Sequence, residues 1–268
     1  MFNDFSILNL AKTLADITGV EPPQHAKGGV DAITSLVKQK TGKNTVDKML
    51  IYNPDAVGQW VYEKYFDLFP AVRENTDIAV DYLTVYPPKT PVCFASMFSG
   101  ASPDIHGITK YEKPVLTIDT LFDAWARGGK KVALVSVAGQ SMPKIFAGRN
   151  IDYFLMPYDN GVIKKALELI EGDKYGIIEV YNQEYDDKMH LTHPESKLAL
   201  KALKNYNNSF NALCQGVKKY WASYDTFIAF APDHGVHKSP VGLGTHGKNI
   251  PKDMNIRHFY GVCSKNDK

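Results

Sequence analysis

The chain has 268 residues, enough for one large domain with a buried core. Its hydrophobic fraction of 44% and charged fraction of 22% are those of an ordinary globular protein and exclude a disordered chain. A net charge of +2 is too small to recruit a nucleic-acid polymer or an anionic membrane surface, and no apolar run approaches the ~20 residues that span a bilayer.

In chain order, Met1-Phe2-Asn3-Asp4-Phe5 lacks a charged region followed by an apolar core, so no secretory leader is expected. Cys93, Cys214 and Cys263 are widely spaced, which suits a reducing cytoplasm better than a disulfide framework. Residues 1–45 are expected to form an N-terminal helical segment packed on the core, and residues 46–268 the core itself. Within the first segment, Ser6 to Val20 reads as a helix closed by Gly19 and followed by Pro22-Pro23; a second helix comes after it. From residue 46 onward, short β-rich runs alternate with amphipathic stretches. That pattern predicts a single-domain α/β fold, a mostly parallel central sheet with helices on both faces. Strands are expected over Lys48–Tyr52, Ala79–Val85, Lys131–Val137, Asp152–Met156, Tyr175–Tyr181, Asp225–Ala231 and Ile256–Val262. Helices are expected over Ala56–Phe69, Val92–Ser99, Thr117–Gly128, Gly161–Glu171 and Glu195–Tyr220.

Seven side chains with metal-binding chemistry punctuate this pattern: Asp55, Thr90, Asp186, His190, Asp233, His234 and His246. Asp55, Asp186 and Asp233 all fall just beyond predicted strand C-termini, where open α/β sheets bind ligands. Thr90-Pro91 has the pattern of a helix N-cap followed by proline at the first helical position. A hydroxyl there would stand beside free backbone N–H groups able to hold a phosphoryl oxygen. Thr84 and Ser96 are rival hydroxyls, and Asp187 rivals Asp186; the four-residue spacing to His190 favours Asp186.

The order of these residues resembles the alkaline phosphatase superfamily, in particular its type I phosphodiesterase/nucleotide pyrophosphatase branch. The resemblance runs from about Met49 to Val262. It rests on Thr90 before Ser99-Gly100 and His106-Gly107-Ile108, on Asp186, His190 and Pro194, on Asp233-His234-Gly235, and on His246-Gly247. It implies an alkaline phosphatase-like fold and two divalent ions about 4 Å apart, Zn first and Mn as the alternative. Asp55, Asp233 and His234 would hold the ion that activates Thr90, and Asp186, His190 and His246 the other. Thr90 would attack a small phosphorylated substrate, a mono- or diester of nucleotide or other type. Water would then hydrolyse the phospho-threonine, with retention at phosphorus. Phosphonate hydrolysis and phosphomutase or phosphotransferase chemistry are the alternatives within the superfamily. A catalytically inactive metal- or ligand-binding module is the alternative outside it. Sulfatase chemistry is disfavoured by the lack of a Cys/Ser-x-Pro-x-Arg motif.

Two departures bear on the substrate. Relatives have Asp-Gly where Asp55-Ala56 stands, and an asparagine contacting phosphate where Thr109-Lys110-Tyr111 stands; Lys110 or Tyr111 would take over that contact. Lys89 reads as a surface residue, His106 as ordering its turn, His193 as lining the pocket, and His25 and His258 as structural. His237 is either near the substrate or exposed. The helix, Gly19 and the following prolines resemble a segment that relatives carry after their last strand, which implies a permuted arrangement; a generic helix and turn is the alternative. The sequence does not specify an oligomeric state.

Overall fold

A computed structural model describes residues 1–266 of the chain. Its strands are β1 (Phe5–Ser6), β2 (Lys48–Pro54), β3 (Ile78–Leu83), β4 (Val132–Val137), β5 (Asp152–Met156), β6 (Ile177–Asn182), β7 (Thr226–Phe230), β8 (His237–Lys238), β9 (Gly244–Thr245) and β10 (Asn255–Cys263). Eight of them form one sheet in the order β1-β3-β10-β7-β2-β6-β4-β5. All pairings in this sheet are parallel except those of β10, which runs antiparallel to β3 and β7. β8 and β9 form a separate antiparallel hairpin.

The central strands β2, β4, β6 and β7 are buried along their whole length, as parallel strands covered on both faces must be. Their alternating side chains feed two cores. Met49, Ile51, Leu134, Ile177 and Phe227 face one; Leu50, Tyr52, Val135, Ile178 and Ile228 face the other. The helix Asn9–Thr18 packs into the first core through Leu10, Leu14 and Ile17. The helix Lys197–Tyr220 packs into the second through Leu203, Phe210 and Leu213. Gly19 closes the first of these helices at φ 70°, as its position in the sequence predicts.

Four expectations need correction. The stretch Ala56–Phe69 is not one helix: it breaks into Gln59–Lys64 and Phe66–Leu68, and Pro70 then starts another at Pro70–Asn75. Glu184–Leu191, for which the sequence pattern predicts no element, is a helix. Residues 1–45 do more than pack helices on the core, because β1 adds a parallel strand beside β3. Thr90 is the first residue inside the helix Thr90–Ser99, and Lys89 occupies the cap.

Candidate metal centre

β7, β2 and β6 are neighbours in the middle of the sheet and run parallel, so their C-terminal ends lie side by side. Asp233 follows β7, Asp55 follows β2, and the helix Glu184–Leu191, which carries Asp186, follows β6. Asp186 and His190 are four residues apart on that helix and therefore share a face. The helix begins where it does because the Asp159 carboxylate accepts from Gln183 N at 3.1 Å and Glu184 N at 2.6 Å. His246 arrives from the far side, just after β9.

These side chains converge. His234 Nε2 lies 3.4 Å from Asp55 Oδ1, 3.4 Å from Asp233 Oδ2 and 3.2 Å from Thr90 Oγ1. Asp186 Oδ1 lies 3.4 Å from His190 Nε2 and 3.6 Å from His246 Nε2. The His234 and His246 rings stack with centroids 4.0 Å apart, which joins the two halves. Ligand atoms of Asp55, Asp233 and His234 fall within 4.8 Å of one another, as do those of Asp186, His234 and His246. His190 stands outside that second tight group, with its side chain 40% exposed, but reaches it through Asp186. All seven sequence-derived residues thus meet in one place.

The donor set suits divalent ions on two independent counts. His190, His234 and His246 each direct Nδ1 at a backbone carbonyl: Gly244 O at 3.1 Å, Gly235 O at 3.1 Å and Pro88 O at 2.7 Å. A carbonyl only accepts, so Nδ1 carries the proton and each Nε2 presents a lone pair to the centre. The three oxygens these nitrogens face, Asp55 Oδ1, Asp186 Oδ1 and Asp233 Oδ2, are buried without a hydrogen-bond partner. Two ligands on a tetrahedral ion at about 2.0–2.1 Å are themselves about 3.3 Å apart, close to the separations found here.

The acids of the centre repel one another. Burial, and then the Asp233 and Asp186 charges, hold the Asp55 carboxyl well above the usual range; burial and Asp233 do the same to Asp186. Burial pushes His246 well below the ordinary imidazole value, and His190 below it. A cation at this point would reverse the carboxylate shifts. The other carboxylate oxygens of Asp55 and Asp233 are engaged. Asp55 Oδ2 accepts from the Tyr181 hydroxyl, and Asp233 Oδ1 accepts from Ala56 N at 3.1 Å and His234 N at 2.9 Å. Ala56 has φ 70°, a left-handed conformation that favours glycine. The alanine of the Asp-Ala departure thus adopts a backbone conformation that a glycine would take without strain.

Around the centre, Lys89 does not behave as a surface residue. Its ammonium donates to His246 O at 2.9 Å, and its charge acts on Asp186, His190 and His246. Lys110 turns outward, its side chain 74% exposed and 3.4 Å from Glu112. Tyr111 is exposed, yet partial burial and then the Asp55 and Asp186 charges push its hydroxyl above the ordinary tyrosine value. The half-buried Lys113, which no motif indicated, lies 5.3 Å over the Tyr111 ring and feels Asp55 and Asp187; burial lowers its pKa. His106 orders its turn: Nδ1 accepts from Ile108 N at 3.1 Å and Nε2 meets Ser96 Oγ at 2.9 Å. His258 is a buried structural residue that bonds Pro232 O and the Tyr260 hydroxyl. His237 is buried rather than exposed and pairs with Asp253.

No family model matches this sequence, and no curated protein matches it either. Solved structures do. Murine ectonucleotide pyrophosphatase/phosphodiesterase 5, an inactive variant in complex with AMP, matches with a TM-score of 0.61 at 13% identity, over 82% of this chain and 88% of that one. Phosphonoacetate hydrolase from Sinorhizobium meliloti in complex with phosphonoformate matches at 0.53 and 16% identity, over 70% of this chain and 56% of that one. The C-terminal periplasmic domain of EptC from Escherichia coli in complex with Zn matches at 0.54 and 15% identity, over 82% of this chain and 73% of that one. The fold is alkaline phosphatase-like: an α/β arrangement around a mixed, mostly parallel eight-stranded sheet. Human and murine ectonucleotide pyrophosphatase/phosphodiesterase 5 are among the structures the chain is similar to.

Proposed function

We propose that the chain is a two-metal phosphoester hydrolase in which Thr90 is the nucleophile. The observation that carries this reading is the convergence of three imidazole lone pairs on three unpartnered buried carboxylate oxygens, with the Thr90 hydroxyl 3.2 Å from His234 Nε2. Asp55, Asp233 and His234 would hold one ion beside Thr90, and Asp186, His190 and His246 the other. Zn is the first candidate and Mn the second; the Zn complex of the EptC domain supports the former. Bound there, the ions supply Lewis-acid charge that favours the threonine alkoxide and stabilises phosphoryl oxygens.

The protein's own share is positioning. The helix Thr90–Ser99 has no side-chain cap, so the Thr90 hydroxyl is free of its own backbone and faces His234. Its proton passes through solvent to the leaving group, which departs with the electrons of the broken P–O bond as the Oγ1–P bond forms. Water then attacks the phospho-threonine: its oxygen bonds to phosphorus as the P–Oγ1 bond breaks, and one of its protons returns through solvent to Thr90 Oγ1. The Thr90 and Val92 N–H groups, in the first turn of the helix, would hold a phosphoryl oxygen. The substrate would be a small phosphate mono- or diester; the AMP complex of the murine structure supports a nucleotide-type ligand. Phosphonate hydrolysis is the second reading, supported by the likeness to phosphonoacetate hydrolase.

The test is a panel of phosphomonoesters, diesters, nucleotides and phosphonates, assayed after chelation and after adding Zn, Mn or Mg. Chelation should abolish turnover and Zn or Mn should restore it. Thr90→Ala should keep the fold, because the side chain caps nothing, and should lose at least about a hundredfold in kcat. Metal-independent turnover, or near wild-type turnover by Thr90→Ala, would overturn the reading.

A further inference from the structure

We propose that Asp253 is a positioning residue for the metal centre, holding both ends of the segment that presents His246. The inference rests on the two-metal reading. Asp253 lies in the short helix Pro251–Met254 and is completely buried. Its Oδ1 accepts from His237 Nδ1 at 2.7 Å, its Oδ2 accepts from Lys248 N at 2.9 Å, and its backbone oxygen accepts from Gly235 N at 2.8 Å. These partners have a pattern. Gly235 directly follows His234, His237 opens the β8–β9 hairpin, and Lys248 comes two residues after His246. One residue therefore fastens the chain on either side of the hairpin that separates two of the centre's imidazoles.

The hairpin needs such a fastening. Its strands pair over only two positions, His237 with Thr245 and Lys238 with Gly244, and its tip residue Val241 is 84% exposed. Little apolar burial holds it, so local opening would be cheap without other ties. A buried carboxylate is a costly tie and is kept only when its oxygens are paired, as both are here. His237 points the same way. Its Nε2 is buried without a partner, so the hydrogen bond this side chain makes is the one to Asp253. The Pro88 carbonyl and the Lys89 ammonium hold His246 from the nucleophile's side. Asp253 holds the segment that presents it from the other.

The Asp253 side chain acts on the His246 side of the centre, because the tie next to His234 runs through backbone atoms alone. Removing the carboxylate should therefore weaken one ion selectively. The experiment is a competitive-chelator titration of Zn on the full chain, with circular dichroism and a thermal melt in chelator as fold controls. Asp253→Ala should weaken one of two ions by about tenfold or more and leave the other within about threefold. Asp253→Asn, which keeps one accepting oxygen, should fall between. Should Asp253→Ala not fold, His237→Phe fills the same space without the donor and should weaken the same ion by about threefold or more. Equal weakening of both ions in a folded variant, or no weakening, would overturn the positioning role. A wild-type chain that holds fewer than two ions would overturn the two-metal reading itself and this role with it.

Discussion

At the scale of single residues, the backbone carbonyls that take the Nδ1 protons of His190, His234 and His246 decide how protons and metal ions compete. Burial depresses His190 and His246, so near neutral pH their Nε2 lone pairs are free. Asp55 and Asp186 shift the other way, above their ordinary 3.8, so protons return to them earlier during acidification than to a free aspartate. Ligands must be deprotonated to bind, and His190 and His246 join this competition only at lower pH. The Zn dissociation constant, measured by competitive chelation, should therefore rise by more than about tenfold between about pH 7 and pH 5. A constant that stayed flat over that range would contradict the ligand set. That these residues meet was readable because acids and imidazoles near strand ends, in a family's order, form a rare pattern. Tyr181 was not, because a tyrosine in a fully buried strand looks like any core aromatic, although its hydroxyl holds Asp55 Oδ2. Lys110, Lys89 and Lys113 were not placed because the direction of a long cationic side chain depends on neighbours brought by the fold.

At the scale of elements, β6 carries more than its run of apolar residues suggests. Glu179 sits in the middle of it, wholly buried, with both carboxylate oxygens unpartnered. Desolvation holds its pKa well above the ordinary 4.5. The folded chain thus keeps a proton that the unfolded chain releases above about that value, and stability falls by up to about 1.4 kcal/mol per pH unit from there to the folded pKa. Glu179→Leu should raise neutral-pH stability by about 1–3 kcal/mol, and its advantage over wild type should grow as pH rises through this window. Denaturant titrations at several pH values would show it; an advantage that shrank with rising pH would contradict a neutral buried carboxyl. Seven of the sheet's strands followed from their hydrophobic pattern to within a few residues at each end. β1, β8 and β9 did not, because two residues carry no periodicity. The helix Glu184–Leu191 was missed because its start signal, Asp159, lies 24 residues upstream of Gln183 in sequence and beside it only in the fold. Thr90 looked like a cap because threonine before proline commonly is one; the observed cap is Lys89, which leaves the threonine hydroxyl to the centre.

At the scale of the whole molecule, the three acids come from three adjacent parallel strands, and the rest of the architecture keeps those strand ends in register. The N-terminal segment takes part. Gly100, which at φ 71° ends the helix that Thr90 begins, has no room for a side chain because a Cβ there would lie 2.5 Å from Ala26 Cα. The helix bearing Thr90 is thus packed at its far end against residues that come before β2. The class of fold was readable as a pattern of elements, since a buried parallel sheet leaves unbroken apolar runs; the contribution of residues 1–45 to the sheet edge was not. What this arrangement most needs to explain is the order of bond making at phosphorus. Thr90 and water would each attack in line, one after the other, so two inversions should give net retention. The decisive measurement is the stereochemistry of hydrolysis of a phosphodiester-type substrate made chiral at phosphorus, in isotopically labelled water. Retention is the result expected if Thr90 forms a covalent intermediate. Inversion would mean that water attacks directly, and would contradict the central role given to Thr90.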